Sequence, residues 1–158
     1  MESRTRMQRQ AEAALRCLRA VSALPAAARE DYKARAENFP ALLLHAGLAQ
    51  ALGFLRAKGG AIVCRAAENP AAGADAAENP AAGADAADDP PSGSPAAAYR
   101  RYLADLATVL GCADGDSLLQ RAIDAPLADY RLLSRQTLDA AGWLRRFAQA
   151  HLARERTP

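Results

Sequence analysis

Arginine is the residue type in this chain with the most chemistry to offer. Arg9, Arg16 and Arg19 form one group, Arg56 with Lys58 a second, and Arg135, Arg145 and Arg146 a third. The planar fork of a guanidinium donates two hydrogen bonds to one anion, which suits phosphate. Groups of this kind that converge on one face track a phosphate backbone without reading its sequence. Each arginine has a plainer use as well, as a solvated side chain or an intramolecular partner, Arg135 with Asp139 for example. Other chemistries lack their constellations. His45 and His151 show no HExxH or similar spacing, so neither a metal nor any other cofactor is expected. His45 reads instead as a polar residue tucked into a helix pair. Cys17, Cys64 and Cys112 are odd in number, widely spaced and free of CxxC pairing, which favours buried free thiols in a cytosolic protein. Gly59-Gly60 follows a helix rather than a strand and is no phosphate-binding loop. Glu30-Asp31 lies in a charge-mixed exposed run, which is no setting for acid–base work. No enzymatic activity is expected.

The elements that must position these arginines are helices. The chain has 158 residues, about one domain's worth, and half of them are apolar with few aromatics. Ala, Leu, Arg, Gln and Glu in amphipathic runs, with few stretches rich in Val, Ile and Thr, give an all-α fold class, a compact bundle of five to six helices. No apolar stretch is long enough for a membrane span, and no apolar segment follows the N-terminal arginines to make a secretory signal.

Gln8 to Ser22 is amphipathic, with Met7, Ala11, Ala14, Leu15, Leu18 and Val21 on one stripe and Arg9, Arg16 and Arg19 opposite, with Glu12 among them. A short helix follows over Ala26 to Glu37. Asn38-Phe39-Pro40 then signals a new helix start. The third helix, Ala41 to Ala57, is apolar almost all round and is expected to be the central element, with Gly47 and Gly53 marking close approach of a neighbour. Lys58-Gly59-Gly60 stops it. In the second half Ala96 to Gly111 carries Tyr99, Tyr102, Leu103, Leu106, Val109 and Leu110 on one face. A short helix follows, capped at Asp114, Asp116 or Ser117. Pro126 opens a long last helix, with Arg131, Arg135, Asp139, Gly142, Arg145 and Arg146 in one arc and Leu127, Tyr130, Leu138, Ala141, Leu144, Phe147 and Ala148 on the buried side.

Between the halves, the ten residues Ala67 to Ala76 are repeated without change at Ala77 to Ala86. Two copies make no solenoid. Pro, Gly and acids in this pattern cannot bury a core, so residues 66–95 are expected to be a disordered low-complexity insert within a single helical domain, 1–158. From Ala66 to Ala98 there are six acids and no base. The formal net charge of +2 therefore conceals 12 acids against 20 bases elsewhere. A basic excess of that size points to an anionic partner, nucleic acid first and a membrane surface second.

Two segments resemble the small subunit family of the type III-B CRISPR effector, the Cmr complex. Phe39 to Gly59 is similar to that family's central helix at Pro40, Gly47, Leu48, Gln50, Ala51, Leu52, Phe54, Leu55, Ala57 and Lys58. Leu138 to Leu152 is similar to its closing helix at Trp143, Leu144, Arg145, Arg146, Phe147 and Ala148. The resemblance implies a cytoplasmic, non-catalytic scaffold subunit that acts in antiviral defence. Its copies stack head to tail in a minor filament, beside other subunits of the effector and along guide RNA paired with target RNA. In that setting base pairing reads sequence and protein senses backbone and shape. The residues assigned to RNA are Arg9, Arg16, Arg19, Arg56, Lys58, Arg135, Arg145 and Arg146. Gln50 and Lys58 have two readings, the nucleic-acid face or satisfaction of the central helix. Trp143 reads as a packing residue rather than a base stacker.

The competing functional class is a stand-alone helical nucleic-acid-binding or regulatory adaptor. A helix-turn-helix needs base-reading side chains at the start of its second helix. After the short connection Asp124-Ala125-Pro126 stand Leu127 and Ala128, which cannot read bases.

Overall fold

A computed structural model describes residues 4–60 and 94–152, which form six α-helices and no strand. These are α1 (Arg6–Ser22), α2 (Ala26–Ala46), α3 (Leu48–Lys58), α4 (Pro95–Leu110), α5 (Gly115–Asp124) and α6 (Leu127–His151). The insert expected over 66–95 lies outside the described residues except for its last two. Those two belong to the helix that follows: the Ser94 side chain accepts from the Ala97 N–H at 3.2 Å, and Pro95 takes the first turn, where its missing donor costs nothing. No described helix is long and apolar enough to cross a membrane.

α1 starts at a capping box, in which the Thr5 hydroxyl accepts from the Gln8 N–H and the Gln8 side chain accepts from the Thr5 N–H at 2.8 Å. Its buried stripe is Gln10, Ala13, Ala14, Cys17, Leu18 and Val21, rotated from the expected one, so Met7 is exposed.

The expected break at Asn38-Phe39-Pro40 does not occur. α2 runs straight through Pro40 and ends six residues later, at Ala46, with Gly47 as its cap. An interior proline costs about 3 kcal/mol. Against that, Tyr32, Ala36, Phe39 and Leu43 form one buried stripe, and each large apolar side chain on it contributes about 1.5–3 kcal/mol. Burial wins. The chain turns instead at Gly47, whose φ of 82° and ψ of 165° suit glycine alone. The Tyr130 hydroxyl then accepts from the Ala49 N–H at 3.3 Å, satisfying a first-turn donor of α3.

α3 is not the central element. It packs on α2, α4 and α5, whereas α4 touches every other helix. The buried positions of α4, from Ala98 through Tyr102, Leu103, Asp105, Leu106, Ala107 and Val109, wrap more than half its circumference. Leu44 and Phe54, counted within the all-round apolar helix, are 70% and 41% exposed. A carbon added at Gly53 would meet nothing within 4 Å, so close approach of a neighbour does not explain this glycine. On α6 the buried stripe is Leu133, Thr137, Ala140, Ala141, Leu144 and Ala148, and Leu127 lies exposed rather than buried. Gly111, left-handed at φ 74°, closes α4, and Asp114 caps α5 by accepting from the Ser117 N–H at 2.7 Å.

A polar knot sits inside this core. Asp105 accepts from the Tyr32 hydroxyl at 2.8 Å and from Arg101 Nε at 3.1 Å, with the Cys17 thiol against it. Tyr102 meets Tyr32 and Phe39 edge to face, at 5.6 and 5.4 Å between centroids.

Candidate nucleic-acid interface

The helical period that buries Ala14, Leu18 and Val21 turns Arg9, Arg16 and Arg19 to the opposite, exposed side of α1. Arg9 and Arg16 are about 10 Å apart along the axis, with Arg19 about 5 Å beyond. None of the three makes an ion pair or hydrogen bond among the described residues.

α1 lies against α6, and the two are linked by Arg6 and Asp139 at 3.5 Å. Arg135 and Arg145 stand exposed on α6, and Asp139 thus has Arg6, not Arg135, as its partner. The Arg146 guanidinium is also exposed and lies 5.7 Å from the centre of the Trp143 ring. Trp143 in turn stacks on Phe147 at 5.5 Å, half-buried, which agrees with a packing role. Two of the three arginine groups are therefore carried on neighbouring helices.

The second group has different neighbours. Arg56 forms an ion pair with Asp116 of α5 at 2.5 Å and donates to the Gly60 carbonyl at 3.3 Å. Its charge is largely committed within the fold. Lys58 is exposed, with its ammonium 5.9 Å from the centre of the Phe54 ring. Gln50 is exposed on α3. His45, expected within a helix pair, is exposed at the end of α2, because the turn at Gly47 ends the helix before a partner covers it.

Groups with displaced pKa values sit in the core or at a helix cap. Burial, and then the Asp105 charge, push the Cys17 thiol up to about 11. The same two causes raise Tyr32 and Tyr102. Burial raises Asp105 against the pull of Arg101. Hydrogen bonds from Ser117 lower Asp114. A thiol held protonated and out of solvent is a packing group, as expected for Cys17. Cys112 is half-buried, and Cys64 lies outside the described residues. Among the described residues no three His, Cys, Asp or Glu side chains gather where they could hold a metal ion.

One arrangement is not foreshadowed by the sequence. Arg35 of α2, Phe54 of α3 and Tyr99 of α4 come together at a groove, with Arg35 donating to the Tyr99 hydroxyl and lying 4.3 Å over its ring. The three residues belong to three helices. The local hint is the pairing of Phe54 with Lys58 four residues on, one turn of helix.

Comparison with known proteins follows the same lines as the geometry. A family model described as CRISPR-associated protein (Cas_Cmr5) matches residues 6–151. A Thermus thermophilus protein named CRISPR system Cmr subunit Cmr5 is 31% identical over 122 residues, 77% of this chain and 75% of that one. A crystal structure of a CRISPR-associated Cmr5 family protein, also from Thermus thermophilus, superposes with a TM-score of 0.67 at 30% identity, covering 93% of this chain and 97% of the other.

Proposed function

The chain belongs to the CRISPR-associated Cmr5 family, and from that membership we propose that it is a non-catalytic scaffold subunit of a type III-B CRISPR ribonucleoprotein. In this reading copies stack head to tail in a minor filament, next to the other subunits, and present basic side chains to the backbone of guide RNA paired with target RNA. The observation that carries the RNA contact is the outer face of α1, where three guanidiniums stand in solvent without a partner among the described residues. Arginines with no acid to satisfy them, repeated along one helix face and continued on the adjoining α6, suit a phosphate ladder. Contacts to protein neighbours find support at the α5–α6 corner. There Ile123, Leu127 and Leu132 are each at least half exposed, beside a groove that also holds Arg121 and Asp129. An apolar cluster with a charged rim is the usual form of a subunit contact.

The experiment is a salt series on RNA binding by the full chain and by the variant Arg9→Ala, Arg16→Ala, Arg19→Ala. Loss of three phosphate contacts lowers the slope of log K against log salt by about 2 for a single strand. Arg56→Ala serves as the comparison, since its charge is already spent on Asp116, and it leaves the slope unchanged. An unaltered slope in the triple variant excludes the α1 face as the phosphate contact.

A further inference from the structure

The groove between α2, α3 and α4 has a volume of about 260 Å³, and its lining includes Arg35, Asn38, Leu42, Phe54 and Tyr99 but no carboxylate. Its aromatic rings are set edge to face, Phe54 against Tyr99 at 5.8 Å. Each ring has a cation beside it, Arg35 at 4.3 Å from the Tyr99 centre and Lys58 at 5.9 Å from that of Phe54. Phe54 is 41% exposed, a large apolar ring left in water at the mouth of a cavity. Asn38 is exposed as well, and its amide makes no hydrogen bond among the described residues.

We infer that this groove holds one unpaired RNA base. The base lies against the Phe54 ring, the Asn38 amide meets its hydrogen-bonding edge, and Arg35 and Lys58 face the phosphates on either side. Single-stranded RNA is gripped by this combination of aromatic platforms and flanking cations, because every base has a π-face and every linkage an anion. The charge decides the occupant: a lining with one cation, Arg35, and no acid, and a second cation, Lys58, beside Phe54 suit a polyanion better than a peptide side chain of mixed chemistry. The size agrees, since 260 Å³ falls just below the range for drug-sized ligands and leaves room for a single ring system. An amide is the side chain that pairs in bidentate fashion with adenine, so adenine is the base expected to fit best. This site is separate from the α1 and α6 faces, but it rests on the reading of the chain as an RNA-contacting subunit.

The test compares two labelled ligands of equal charge and length by fluorescence anisotropy with the full chain. One is an oligoadenylate of about ten nucleotides, and the other is the same ribose-phosphate chain without bases. The oligoadenylate is expected to bind about tenfold tighter, the effect of one stacked base. Phe54→Leu keeps the apolar bulk and removes the π-face, and Asn38→Ala removes the amide. Each brings the ratio toward one while leaving the abasic affinity and the unfolding midpoint in place. Equal binding of the two ligands by the unaltered chain overturns the base site and leaves the backbone reading standing. A preference for bases that survives both substitutions overturns the location. If neither ligand binds at low salt, the RNA reading itself is overturned, and the base site with it.

Discussion

The polar knot at Asp105 shows how a single residue's setting controls its chemistry. A thiol beside a buried carboxylate gains nothing by ionising, because desolvation and the Asp105 charge both oppose the thiolate. Moving the Cys17 pKa from 9.0 to about 11 lowers the thiolate fraction at pH 8 about a hundredfold. Alkylation of Cys17 by iodoacetamide at that pH is therefore expected to run at least about a hundredfold slower in the native chain than in urea, followed peptide by peptide in a mass spectrometer. The same shift has a stability consequence. The folded thiol holds its proton more tightly than the unfolded one, so its contribution is complete below pH 9.0 and is lost as pH rises through about 11. Tyr32, also raised by burial and by Asp105, acts in the same direction. The unfolding temperature should fall on the alkaline side, and Cys17→Ala should reduce that fall. A flat profile from pH 8 to 11 contradicts this account of the knot.

At the scale of the element, the two glycines of the α2–α3 region have opposite roles. Gly47 sits at φ 82°, where a side chain is strained wherever it points, while Gly53 is helical with open space around it. Gly47→Ala is expected to cost about 1–3 kcal/mol. Gly53→Ala is expected to gain up to about 1 kcal/mol through helix propensity alone. Denaturant unfolding of the two variants measures both, and equal signs would refute the assignment of the turn to Gly47. This turn also marks the limit of what the sequence discloses. Amphipathic periodicity identifies the helical segments and turns Arg9, Arg16, Arg19, Arg135, Arg145 and Arg146 outward, because period is a local property. The choice between Pro40 and Gly47 as the break is not local. It depends on whether Phe39 and Leu43 find α4 and α6 to pack against, and that information is spread over the whole chain. For the same reason Arg56 reads as a free cation in the sequence, although Asp116 of a distant segment lies 2.5 Å from it in the fold.

Over the whole molecule, the bundle closes without help from the duplicated segment. Gly59 lies so close to α4 that an added carbon would be 3.2 Å from the Arg100 nitrogen, and Arg100 is only about 9 Å of helix beyond Ser94. The chain thus leaves α3 near the point where it enters α4. Excising the two decamers, 67–86, shortens the connection between Gly60 and Ser94 from 33 residues to 13, which is ample for such a span. On the sequence expectation of a low-complexity linker before Ser94, the smaller closure entropy should stabilise the bundle by about 1 kcal/mol, a shift visible in denaturant unfolding. The excision also removes Glu68, Asp75, Glu78 and Asp85, raising the formal net charge from +2 to +6. Long-range attraction to a polyanion depends on this total charge and is screened beyond about 10 Å at 0.1 M salt. The shortened chain should therefore associate with RNA faster at low salt, with the advantage vanishing as salt is raised, in stopped-flow measurements. Faster association that persists at high salt points to removal of a direct obstruction rather than of charge. Equal rates at low salt mean that the four acids lie too far from the path of the incoming RNA for its field to register them.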